Sequence, residues 1–101
     1  MNPKVSYDVG GFQILTFSNE NGEQLHVHVA RGKNHSLTLK FWYRNSEWVL
    51  DTKQSNLRVT KSEMKMIQNH LSRNRADIVS AIIDFHSNAG SVSAIKPLQF
   101  N

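Results

Sequence analysis

Apolar and polar residues alternate with a period of two through the first half of the chain and recur at helical spacing through the second half. Phe12 to Phe17 is a short aromatic and β-branched run, with Phe12, Ile14 and Thr16 on one face and Gln13, Leu15 and Phe17 on the other. Leu25 to Ala30 alternates cleanly: Leu25, Val27 and Val29 point inward, His26, His28 and Ala30 outward. Ser36 to Phe41 repeats the pattern with Leu37, Leu39 and Phe41, and Glu47 to Asp51 makes a short fourth strand around Trp48, Val49 and Leu50. Turn residues punctuate these runs at Gly10-Gly11, Asn21-Gly22, Gly32 and Asn45-Ser46. A five-residue loop centred on Lys33 predicts His28 opposite Thr38 and His26 near Lys40.

Thr60-Lys61-Ser62-Glu63 has the form of a capping box, in which the Thr60 hydroxyl accepts from the Glu63 amide and Glu63 reaches back. Met64, Ile67 and Leu71 follow on one helical face. Asn74, with Asp77 three residues on, is placed to cap a second helix whose stripe is Ile78, Val79, Ile82, Ile83 and Phe85. Short helices gain most of their stability by docking, so these two should pack on the sheet. The predicted fold is α+β: a small antiparallel meander of about four strands packed against a C-terminal α-helical hairpin. Residues 1–10 form an N-terminal arm, 11–88 the single domain and 89–101 a C-terminal tail.

Composition narrows the chemistry. The 101 residues contain no cysteine, which excludes disulfides, thiolate catalysis and Cys-bearing zinc sites. No apolar run approaches membrane-spanning length and the first residues lack an apolar leader, so a cytoplasmic protein is expected. The net charge of +4 is unevenly spread: residues 31–75 hold ten Lys and Arg against three Asp and Glu, while both flanks are slightly acidic. A basic block of this kind points to nucleic acid or an acidic protein as partner. Within it, Lys40-Phe41-Trp42-Tyr43-Arg44 interleaves cations and aromatics, and Lys61, Lys65 and Arg73 with Arg58 form a basic helix margin. Arg31, Lys33, Lys40, Trp42, Arg44, Arg58, Lys61 and Lys65 are the candidate partner-binding residues.

Gly11-Phe12-Gln13-Ile14, the Leu25-His26-Val27-His28-Val29 strand with its Gly32-bearing turn, and the helical pair from Thr60 to His86 resemble the bacterial domain-of-unknown-function family 4160. Glu23-Gln24-Leu25 stands where that family usually carries two prolines before the His-x-His strand. The resemblance implies a bacterial protein that works as one half of a two-gene, toxin–antitoxin-like module with the protein of a neighbouring gene, and implies no particular reaction.

His26 and His28 are the sharpest chemical feature, since period two puts both imidazoles on one strand face about 7 Å apart at Cβ. Such a pair can share a divalent metal or flank a phosphate, and a hydrolase or nuclease built on it is the alternative to a binding protein. A metal would need a further ligand, for which His35, Asp51 and Glu47 are the nearby candidates. A nucleotide-hydrolysing histidine triad needs a third alternating histidine where Ala30 stands, and no orienting group for a general acid–base pair is evident. The expectation is therefore a non-enzymatic protein with no catalytic residue and no cofactor.

Overall fold

A computed structural model describes residues 3–17 and 23–88, with the backbone alone described for 3–9 and 86–88. Five strands, β1 (Pro3–Val9), β2 (Phe12–Phe17), β3 (His26–Arg31), β4 (Thr38–Arg44) and β5 (Glu47–Leu50), form one antiparallel sheet in chain order, followed by helices α1 (Lys61–Arg73) and α2 (Arg75–Asn88). The α+β meander with two C-terminal helices is as expected. The N-terminal segment differs: residues predicted as an arm pair along β2 as an edge strand, with a bulge between Val5 and Tyr7. Pro3, Asp8 and the lack of clean alternation hide this strand, whose place is set by pairing with a neighbour. The 89–101 tail and the Asn21-Gly22 turn lie outside the described residues.

Strand alternation sorts the residues onto two faces. Phe12, Ile14, Val27, Val29, Leu39, Phe41 and Tyr43 join Ile67 and Leu71 of α1 and Ile78 and Ile82 of α2 in the main core. Trp48 and Leu50 pack at its margin, and the Trp48 indole donates to the Leu71 carbonyl at 3.0 Å. Helix α1 lies beside β5 and α2 beside β1, so the helical pair spans the sheet. On the other face Leu15, Phe17 and Ala30 form a separate buried cluster.

Three local expectations are corrected. The β3–β4 register is displaced by two residues, pairing His28 with Lys40 and His26 with Trp42. The Asn34 side chain accepts from the Ser36 amide and hydroxyl at 3.2 and 2.6 Å. The turn thereby extends through Leu37, which is 42% exposed instead of inward. Because the displacement is even, the paired residues of β3 and β4 keep their predicted faces. The third correction concerns Asn74, which joins the two helices instead of capping α2 with its side chain: its backbone amide and its Nδ2 both donate to the His70 carbonyl at 3.1 Å, while its own carbonyl accepts the first bond of α2 from the Ile78 amide at 2.9 Å.

Candidate functional site

The predicted site residues divide into two groups on different sides of the molecule. The first lies on the sheet face opposite the helices. His26 and His28 project there together, ring centroids 5.2 Å apart, with His26 5.0 Å from Trp42 and His28 4.9 Å from Phe17. His26 is buried and donates from Nδ1 to the Gln24 carbonyl at 2.8 Å. His28 Nδ1 lies 3.4 Å from the Thr38 hydroxyl. His35, a candidate third ligand, donates from Nε2 to the Gln13 carboxamide at 2.9 Å. Among the described residues no three His, Asp or Glu side chains come together in a group able to hold a metal ion.

The cations of this face are occupied locally. Lys40 was expected at a partner surface but is only 3% exposed. Its ammonium sits 4.2 Å from the Trp42 ring centre and within 3.4 Å of carboxylate Glu23 and 3.2 Å of the Gln54 carboxamide. Arg44 lies 5.3 Å from the same ring and donates to Gln24 at 3.4 Å, while Glu47 is its cross-strand partner. With His26, Lys40 and Arg44 all around it, the Trp42 indole is not an open stacking platform for a base. Its N–H donates to Asp51 at 2.8 Å, and this bond is the chief reason the Asp51 carboxyl is held below its ordinary pKa. The other Asp51 oxygen accepts from the amides of Lys53 and Gln54, both at 3.0 Å. Asp51 thus folds the segment that carries Gln54 to Lys40. Ser55 and Asn56 then take over the edge of β4, accepting from the amides of Lys40 and Thr38 at 2.9 and 2.7 Å.

The second group surrounds α1. Its N-terminus has the predicted capping box, with the Thr60 hydroxyl accepting from the Glu63 amide at 3.1 Å and Glu63 from the Thr60 amide at 2.9 Å. Arg31, on the core side of β3, closes a two-pronged ion pair on Glu63 at 2.8 and 3.1 Å, donates to the Arg58 carbonyl at 3.0 Å and covers the Phe12 ring. The Arg31 guanidinium is the main reason the Glu63 carboxyl falls to a pKa of about 2, and Glu63 raises that of Arg31 in return. Arg31 therefore ties the sheet to α1, with about 48% of its side chain still exposed.

Arg58, Lys61 and Lys65 are exposed, as is Lys33 in the turn after β3. Positions 61, 65, 69 and 73 follow each other at i+4, so Lys61, Lys65, Asn69 and Arg73 form a slowly turning exposed stripe about 18 Å long. The only carboxylate of α1, Glu63, is consumed by Arg31. Beside the far end of this stripe a cavity of about 380 Å³ is lined by Met66, Asn69, His70 and Arg73. Its residues carry no sequence motif: only the helical i+3 and i+4 steps 66–69, 66–70, 69–73 and 70–73 unite them. Burial, and secondarily the Arg73 charge, lowers the His70 pKa.

Among the described residues no helix is long and apolar enough to cross a membrane. Compared with known proteins, the chain matches no family model, no curated protein and no solved structure.

Proposed function

We propose that this chain is a non-enzymatic binding protein that holds a nucleic acid against the outer face of α1. One observation carries the reading. The cations of the basic block on the sheet, Arg31, Lys40 and Arg44, are engaged within the molecule, whereas Arg58, Lys61, Lys65 and Arg73 stand exposed with no ion-pair or hydrogen-bond partner for their side chains among the described residues. Unmatched, solvated cations in a row neutralise phosphates and release counterions on binding. In this reading the protein belongs to the family it resembles, and the product of the neighbouring gene is its protein partner.

The test is a salt titration of binding to short single-stranded and duplex oligonucleotides. Wild-type affinity should fall with a log–log slope of roughly −0.7 for each phosphate contact on a single strand. Replacing both Lys61 and Lys65 with alanine should make that slope shallower by roughly 1.4. Undetectable binding to both DNA and RNA at low salt would reject the proposal.

A further inference from the structure

The cavity beside α1 combines four different chemistries within two turns of one helix. Met66 offers a polarisable thioether, His70 a flat ring, Asn69 a carboxamide that both donates and accepts, and Arg73 a guanidinium. With a volume of about 380 Å³ it is a depression open to solvent, not an enclosed pocket, and a flat group could lie in it without being swallowed. Its wall is held from behind: a Cβ built on Gly10 would lie 3.0 Å from both Sδ and Cε of Met66, so the β1–β2 turn already rests on that side chain. The cavity also adjoins the cationic stripe, because Asn69 and Arg73 belong to both.

We propose that this cavity receives one unpaired nucleobase of a single-stranded nucleic acid, the base packing on Met66 and His70 with its edge on Asn69, while the backbone runs past Arg73 along Lys65 and Lys61. The inference rests on the nucleic-acid reading above and narrows it to single strands. A base in a duplex keeps its faces stacked and its pairing edge occupied, whereas an unpaired base can present both to a flat side chain and an amide. The lowered pKa of His70 favours a neutral ring, suited to stacking and leaving the phosphate to Arg73.

The experiment compares three probes of equal length by fluorescence anisotropy: a single-stranded DNA homopolymer, the duplex, and a strand of abasic sites with the same backbone charge. The wild-type protein should bind the base-bearing strand about tenfold more tightly than the abasic strand. Asn69→Ala and His70→Ala should each erase most of that difference while leaving affinity for the abasic strand unchanged. Lys65→Ala should weaken binding to both strands alike. Asn69 is exposed, so its variant keeps the fold even where loss of His70 costs stability. Equal wild-type affinity for abasic and base-bearing strands overturns the cavity assignment and leaves the cationic-stripe reading standing, as does a base preference that survives in both cavity variants. Failure of all three probes to bind removes both.

Discussion

Glu63 shows how one carboxylate can join local and tertiary structure. It completes the cap of α1 and receives the Arg31 guanidinium from β3. Its pKa of about 2 in the folded protein lies below the ordinary value of 4.5. A depressed folded-state pKa supplies stability that is present above the unfolded value and is lost as pH falls through the folded one. Urea unfolding should therefore show stability declining between about 4.5 and about 2, and Glu63→Gln should flatten part of that decline while lowering stability near neutral pH. Gly10 is a second residue whose role is tertiary. Its φ of +53° suits a residue without Cβ, and Met66 leaves little room for one. Gly10→Ala should lower stability by roughly 1–2 kcal/mol, read as a drop in Tm.

At the level of elements, the strands of the meander are legible because a period of two survives tertiary folding, and the capping box is legible because its partners are three residues apart. Turn geometry is less so. Asn45 and Ser46 take φ of 51° and 62°, the left-handed pair of a two-residue hairpin between β4 and β5. Serine pays for that conformation and glycine does not, so Ser46→Gly should raise stability by about 0.5 kcal/mol, measured by chemical denaturation. The two-residue error in the β3–β4 register has a similar origin. Asn34 folds the turn by side-chain bonds that a count of loop residues does not reveal. Edge strand β1 and the Ser55–Asn56 segment on β4 likewise exist through pairing with distant residues.

Across the whole molecule, the decisive property is where charge is cancelled. The ten bases of residues 31–75 look equivalent along the chain, yet Lys40 is buried beside Trp42 and Arg31 is fastened to Glu63. Lys61 and Lys65 remain in solvent. Arg44→Ala and Lys40→Met should accordingly leave both nucleic-acid affinity and its salt slope within about twofold of wild type, in contrast to the Lys61 and Lys65 variants. If Lys40→Met alters stability instead, differential melting will register it separately from binding. The His26–His28 pair was legible in full as a shared face, but its neighbours Lys40, Trp42 and Phe17 follow only from the register.

The amino-acid order alone determined the meander from β2 to β5, the two helices, the alternating faces of β2 and β3 and the cap on α1, because all of these arise from interactions a few residues apart. Only the tertiary structure decided which cations are spent and which are available, and that Met66, Asn69, His70 and Arg73 line a cavity. Charge cancellation depends on side chains brought together from separate elements at distances that have no counterpart in sequence spacing, and although the four cavity residues share one face of α1, the turn that backs Met66 comes from the distant Gly10.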